Sequence, residues 1–345
     1  MAKPKIDPRW AEGSAYNIIQ EIAIGFQKSQ VLFSAVELDI FSLIGKEKKT
    51  ATELAETLGV NSRFLERLLN ALVAIKLLHK TEMYYKNTEL SAQHLIKTSE
   101  DYYGFLLHSS DLWESWGTLT EVIKTGKVKA KDRLCDKDEK WIHDFLLSAN
   151  WRAKIEIEYI MKFLLSNIKS FNKLLCLGLG SGRYAVEFAK ESPNTQVYLF
   201  DYPKVVNVAE EMIREECSTL EKNINFIEGD LLEDDFGEDY NCIFISNLLH
   251  DYSVVENINI LKRVYTSLAR GGKLIIHQQL IDDHRTSPLV TVLQSINLLV
   301  NTESGDSYTY ADIWVTVKEA GFGEVEFYKT TFGTCVIIAH KSLVG

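Results

Sequence analysis

Apolar residues change their spacing part-way along the chain. From about Tyr16 to Leu43 they recur at helical intervals, with Ile18, Ile22, Phe26, Val31, Phe33, Val36 and Leu38 on one broad face, which predicts helix. Thr50 with Glu53 three residues later has the form of a capping box. The helix it opens, TATELAETLG, stops at Gly59. SRFLERLLNALVAIKLL then puts Leu65, Leu68, Leu69, Leu72 and Ile75 on one side, and HKTEMYYKNTELSAQHL reads as a small hairpin. Residues 101–165 read as further helices rich in aromatics, among them Tyr102, Tyr103, Phe105, Trp113, Trp116, Trp141, Phe145 and Trp151. From Asn172 the texture differs: KLLCL, QVYLFD, INFIEGD, NCIFISN, GKLIIHQQ, EVEFY and TCVIIAH are short apolar runs separated by helix-length stretches. That alternation predicts an α/β doubly wound sheet. The last two runs, joined around Lys329–Phe332, are expected to pair antiparallel at the sheet end.

Composition narrows the class. The chain has 345 residues, 46% of them hydrophobic, enough for two domains with real cores. A net charge of −10 argues against a dominant nucleic-acid surface. The helix–turn–helix and hairpin pattern of residues 50–95 resembles a DNA-binding shape. Its second helix sets Arg63, Arg67 and Lys76 against Glu66 without a basic stripe, so packing or dimerisation is the expected role. No stretch approaches the roughly 20 apolar residues of a membrane span, and MAKPKIDPRW has no apolar core, so no membrane partner and a cytoplasmic location are expected. Five dispersed cysteines without a Cys-x-x-Cys, and dispersed His277, His284 and His340, suggest reduced thiols and no metal site. The charged run Lys124–Lys140 reads as a solvated loop or helix end.

The candidate chemistry gathers where the predicted strands end, which is where doubly wound sheets bind ligands. LLCLGLGSGRYA (174–185) is a buried strand, a glycine turn at Gly178 and Gly180, and a helix start, an arrangement that lets backbone approach a ligand. Asp201 follows the second strand at a spacing suited to ribose hydroxyls. Gly229, Asp230 and Leu231 follow the third, where an adenine would lie, and Ser246-Asn247-Leu248-Leu249-His250-Asp251-Tyr252 follows the fourth. The turn lacks the dinucleotide pattern and the phosphate-binding lysine. A nucleoside without phosphates fits better, and S-adenosyl-L-methionine is the obvious one.

These residues carry a resemblance. The sequence resembles the class I S-adenosylmethionine-dependent O-methyltransferases of the caffeate and hydroxyindole type, in their bacterial branch. FDYP at 200–203, GDLL at 229–232, SNLLHDYS at 246–253 and SYTYADIWVTVKEAGF at 307–322 look like that family's signatures, and TATELAETLGVNSRFLERLLNALVAIKLL looks like its winged-helix dimerisation domain. The resemblance implies a Rossmann-like seven-stranded methyltransferase sheet with an N-terminal helical, winged-helix-like domain. It implies a dimerisation domain over 1–100, linking helices that line the substrate pocket over 101–165, and a cofactor-binding catalytic domain over 166–345. It also implies a homodimer. Cofactor contacts would come from Gly178, Gly180, Asp201, Tyr202, Gly229, Asp230, Leu231, Ser246 and Asn247. His250, with Asp251 beside it, would be the general base. A phenol with a pKa near 10 needs such a base as the methyl moves. Helical periodicity offers Trp113, Trp116, Phe145, Leu298 and Leu299 as pocket residues for an aromatic acceptor.

Four positions depart from the family pattern: Cys176 stands at the usual acid of the first strand, Gln278 and Ser307 at the two glutamates that flank the histidine, and Tyr252 at the usual tryptophan. The leading expectation is methyl transfer to a phenolic or enolic hydroxyl, releasing S-adenosyl-L-homocysteine. The departures keep open C- or N-methylation, or a non-methylating use of the cofactor on the same fold. A cofactor-sensing DNA-binding regulator is a third reading, opposed by the acidic balance.

Overall fold

The computed structural model describes residues 15–128, 134–167, 172–178, 180–216 and 223–342. Its contacts divide the chain between Ser110 and Asp111 into two units.

In the first unit the long periodic stretch is helical as predicted, divided into α1 (Ala15–Glu37) and α2 (Ile40–Ile44). The break falls at Asp39, whose φ of 53° is left-handed, a conformation aspartate tolerates better than most residues. Of the face expected to be apolar, Ile18, Ile22 and Phe26 are 49%, 77% and 56% exposed, whereas Val36 is buried in the core and Val31, Phe33 and Leu38 pack partly buried against it. β1 (Lys49–Thr50) leads into α3 (Ala51–Leu58). The predicted capping box is present: Glu53 N–H donates to Thr50 Oγ1 at 3.2 Å and Thr50 N–H to Glu53 Oε2 at 2.7 Å. α4 (Ser62–Ala74) buries Leu65, Leu69 and Leu72. β2 (Leu78–Thr81) and β3 (Tyr84–Asn87) make the hairpin, and β1 pairs with β3, giving the order β1-β3-β2. The second half of the expected hairpin segment is instead a helix, α5 (Glu89–His94), because Thr88 Oγ1 caps it through Ser91 N–H. α6 (Phe105–Asp111) runs up to the division between the units.

The second unit begins with α7 (Trp113–Gly117), α8 (Leu119–Thr125) and the 29-residue α9 (Glu139–Asn167). Residues 129–133 of the charged run lie outside the described residues. β4 (Lys173–Leu177), α10 (Arg183–Glu191), β5 (Gln196–Asp201), α11 (Pro203–Glu216), β6 (Ile224–Glu228), β7 (Tyr240–Ser246), α12 (Val254–Ser267) and β8 (Leu268–Gln279) follow, then α13 (Leu289–Asn301), α14 (Tyr310–Glu319), β9 (Val325–Lys329) and β10 (Thr334–His340). The sheet order is β6-β5-β4-β7-β8-β10-β9. The first five strands are parallel. β10 runs antiparallel between β8 and β9, so the last two runs do pair at the sheet end as the sequence predicts.

The strands read as nearly continuous apolar runs because both faces of the sheet are covered. Along β4, Leu174 and Cys176 pack with Leu146, Ile160, Phe188 and Val205 of α9, α10 and α11. The alternate residues Leu175 and Leu177 pack with Ile260, Leu261, Val264 and Ile313 of α12 and α14. The chain steps outward from β4 in both directions, so the switch point, where such sheets open a ligand crevice, lies at the carboxyl ends of β4 and β7.

Candidate active site

The carboxyl edge brings the predicted residues of β4, β5 and β6 together. Gly178 closes β4 at φ 71°, its N–H bonded to Phe200 O at 3.0 Å. A Cβ there would lie 2.8 Å from Leu248, so only glycine lets the segment after β7 lean over the turn. Gly180 is also left-handed, at φ 53°. Asp201 ends β5 and is buried, with Tyr202 N–H donating to its Oδ1 at 2.8 Å. Gly229 N–H bonds Asp201 O at 3.0 Å, and a Cβ on Gly229 would lie 2.4 Å from the Phe200 ring. Asp230 is oriented locally: Leu232 N–H donates to its Oδ1 at 2.8 Å and Tyr202 Oη reaches the same atom at 3.3 Å. Leu231 departs from its expected place at an adenine. It is 1% exposed and packs with Phe200 and Phe236, leaving no side-chain surface for a ligand.

Beyond β7 the chain makes a short turn, Leu249–Asp251, that carries the histidine. Asn247 adopts φ 49°; its N–H bonds His277 O at 2.8 Å and its Oδ1 accepts from Gln279 N–H at 3.3 Å. Its side chain is thus used to tie β7 to β8. Asn257 Nδ2 holds the turn from α12, donating to Leu249 O at 2.7 Å and Tyr252 O at 3.1 Å. Asp306 N–H donates to His250 O at 3.0 Å, and Tyr308 Oη donates to Tyr252 O.

His250 Nδ1 lies 2.8 Å from the side-chain amide of Gln278, and His250 Nε2 lies 3.5 Å from Asp251 Oδ1. Burial lowers the His250 pKa below the usual histidine range, with Arg152 pushing the same way and Asp251 opposing. Burial likewise raises the Asp251 carboxyl, against the pull of His250 and Arg152, although 41% of its side chain meets the cleft. Ser307, the other residue aligned with a flanking glutamate, turns away: its hydroxyl donates to Thr291 O at 3.1 Å. Cys176 is buried and its thiol is pushed up to about 12 by desolvation, so it supplies no negative charge near neutral pH.

Sequence reasoning missed a polar cluster beside this turn. His277 of β8 is 1% exposed; its Nδ1 lies 3.1 Å from Ser246 Oγ and its Nε2 lies 2.8 Å from Glu156 Oε2 and 3.0 Å from Thr334 Oγ1. Tyr184 shares this corner, with its ring centroid 6.1 Å from that of His277. The signal was present as Arg152 and Glu156, a charged pair four apart on α9 between buried Ala153 and Ile157, and as a histidine inside the run LIIHQQ. Of the predicted pocket residues, Leu298 is buried, Leu299 is partly so, and Trp116 donates from Nε1 to Asn297 Oδ1 of α13 at 2.9 Å. Phe145 stacks on Trp141 within α9, and Trp113 is 39% exposed.

Comparison with known proteins agrees with this architecture. An O-methyltransferase domain model matches residues 133–323, and an O-methyltransferase dimerisation domain model matches residues 20–97. The chain is 30% identical to acetylserotonin O-methyltransferase of Gallus gallus, over 91% of this chain and 94% of that one. It is 26% identical to 3-hydroxy-5-methyl-1-naphthoate 3-O-methyltransferase of Streptomyces sahachiroi, over 89% and 90%. The crystal structure of human N-acetylserotonin methyltransferase in complex with S-adenosylmethionine superimposes with a TM-score of 0.84 at 27% identity, covering 96% of this chain and 99% of that one. With the left-handed glycine turn and the buried aspartate at the end of β5, these matches identify the chain as a member of the S-adenosylmethionine-dependent O-methyltransferase family.

Proposed function

We propose that this enzyme methylates a phenolic or enolic hydroxyl of a small aromatic molecule, with His250 as the general base. The observation that carries the reading is the position of His250: a largely buried imidazole, 13% of its side chain exposed, on a turn beside the glycine cradle, with its Nδ1 met by Gln278. When bound, S-adenosylmethionine supplies an electrophilic methyl on sulfur. The protein needs no nucleophile of its own; it has to position an acceptor oxygen in line and remove its proton. Gly178, Asp201 and Asp230 are the residues that would hold the cofactor, and they fit it: backbone that a Cβ would block, a buried acid for ribose hydroxyls and an oriented acid beyond it.

The burial that lowers the His250 pKa keeps the ring neutral at physiological pH and ready to accept a proton. The atom of Gln278 nearest the ring is Nε2, 2.8 Å from His250 Nδ1, and Gln278 Oε1 has no hydrogen-bond partner among the described residues. Turning the amide over puts that oxygen on Nδ1–H, satisfies it, and leaves His250 Nε2 bare as the base. An amide orients the ring but adds no negative charge, so among the described residues the imidazolium formed during transfer has only Asp251 for support. The hydroxyl acceptors named for the relatives from Gallus and Streptomyces support an O-linked product. Trp113, Trp116, Phe145, Leu298 and Leu299 remain the pocket residues of this reading. The exposed α1 face at Ile18, Ile22 and Phe26, which overlaps the matched dimerisation segment, supports a homodimer. Incubation with S-adenosylmethionine and a phenol panel, read by mass spectrometry, tests the function. An added methyl on oxygen that disappears in His250→Ala is expected; full activity in that variant ends the base assignment.

A further inference from the structure

Phe145, Ala149, Arg152 and Glu156 recur every three to four residues and form one stripe along α9. Two contacts fix what the stripe faces. Ala149 Cβ lies 3.8 Å from where a Cβ on Gly180 would stand, so this part of α9 covers the glycine turn. One turn beyond Arg152, Glu156 Oε2 lies 2.8 Å from His277 Nε2 of β8 and accepts from Thr334 Oγ1 of β10 at 3.1 Å. Arg152 is therefore held between them, over the ends of β4 and β7, on the side of the cleft that carries His250 and Asp251.

Its neighbours leave it unsatisfied. Glu156 is taken by His277 and Thr334. The Arg152 guanidinium makes no hydrogen bond or ion pair with the described residues, although the charges of Asp251 and Glu156 are near enough to favour its charged form against desolvation. A partly buried cation without a partner is costly. Its cost is offset when a bound molecule brings the matching anion, and a planar guanidinium matches a carboxylate best, through two parallel hydrogen bonds.

We propose that Arg152 receives a carboxylate carried by the acceptor, so that the substrates of this enzyme are hydroxyaryl carboxylic acids. The inference rests on the cleft being a hydroxyl-methylating site. It fits the weakness of the base: a histidine backed by a neutral glutamine gains from a cation that holds the acceptor and steadies negative charge developing on its oxygen. The other carboxylate that enters this cleft is the cofactor's methionyl group, and the experiment separates the two.

The test uses the full chain with a matched pair of acceptors, 3-hydroxy-2-naphthoate and 2-naphthol. Methylation of the carboxylate-bearing member is expected to be more efficient by about 10-fold or more in kcat/KM, in keeping with a charge-assisted hydrogen bond. Arg152→Gln is expected to remove that preference mainly through KM, and Arg152→Lys to restore part of it. Calorimetry adds a readout without turnover. Titration of 3-hydroxy-2-naphthoate onto the protein saturated with S-adenosylhomocysteine should weaken by about 10-fold in Arg152→Gln, while binding of S-adenosylhomocysteine itself is unchanged. Loss of S-adenosylhomocysteine binding with the acceptor preference intact assigns the guanidinium to the cofactor and overturns the proposal. Equal use of the two acceptors, or failure of the naphthoate to bind, also overturns it. Arg152-dependent binding of the naphthoate with no phenol methylated leaves the carboxylate seat standing and removes the hydroxyl-methylation reading instead.

Discussion

The end of the cleft assigned to adenosine draws Gly178, Asp201 and Asp230 from three adjacent parallel strands, β4, β5 and β6. Each is oriented by backbone close in sequence or one strand away, as when Tyr202 N–H meets Asp201 or Leu232 N–H meets Asp230. The end proposed for methyl transfer draws His250 from a turn after β7, Gln278 from β8 and Arg152 from α9, about a hundred residues upstream of the histidine. One end is built by short-range geometry, the other by side chains that meet only because the sheet and α9 are packed together. Local sequence change should therefore damage the first end as binding and the second as chemistry.

The largest expected effect breaks the transfer end alone. His250→Ala should lower kcat by roughly 10²–10⁴-fold while calorimetry shows S-adenosylmethionine binding as before. A joint loss of both would mean that the turn carries the cofactor site as well. Asp201→Ala is the converse change. It removes a charged acceptor of hydrogen bonds, so the cofactor affinity should fall by about 10–100-fold, with residual kcat at saturating cofactor largely kept. Gly229→Ala tests how tightly the first end is built: its Cβ would meet the Phe200 ring at 2.4 Å. The expected cost is about 1–3 kcal/mol of stability by overpacking, seen as a lower midpoint in chemical denaturation. An unchanged midpoint would show that Phe200 moves aside freely.

The smallest and sharpest change is Gln278→Glu. His250 has a pKa lowered by burial, so it stays neutral, and competent as a base, to a lower pH than an ordinary histidine, and the acid limb of kcat/KM should lie below about 6.5. A carboxylate at Nδ1 favours the imidazolium and raises that pKa, so the limb should move to higher pH and the plateau rise a few-fold. A limb that stays put would remove Gln278 from the positioning of the ring.

Legibility in the sequence followed the same division. The glycine turn, Asp201 and the His-Asp motif were visible because a strand end fixes where the next few side chains point. Leu231 was misread for a related reason: an apolar residue after a strand is compatible with a ligand or with the core, and only packing on Phe200 and Phe236 assigns it to the core. Gln278 and Ser307 occupy equivalent alignment positions, yet one reaches His250 and the other bonds Thr291 O. Their fates differ because a short hydroxyl satisfies itself on nearby backbone, whereas a long amide spans the gap between strands.

What the chain determined by itself is its periodicity: apolar runs covered on both faces, caps such as Thr50–Glu53 and Ser253–Glu256, and the order in which strands and helices alternate. Those are consequences of backbone geometry acting over a few residues, and they specify the parallel sheet and its ligand-binding edge. The tertiary structure alone decided which distant groups share that edge. His277 meets Glu156 across 121 positions of sequence, Gln278 meets His250 across 28, and Arg152 makes no hydrogen bond or ion pair with the described residues. Side-chain partnership and desolvation depend on what surrounds a group in space, so neither has a local signature in the sequence, and both arise only when α9 and the sheet close on one another.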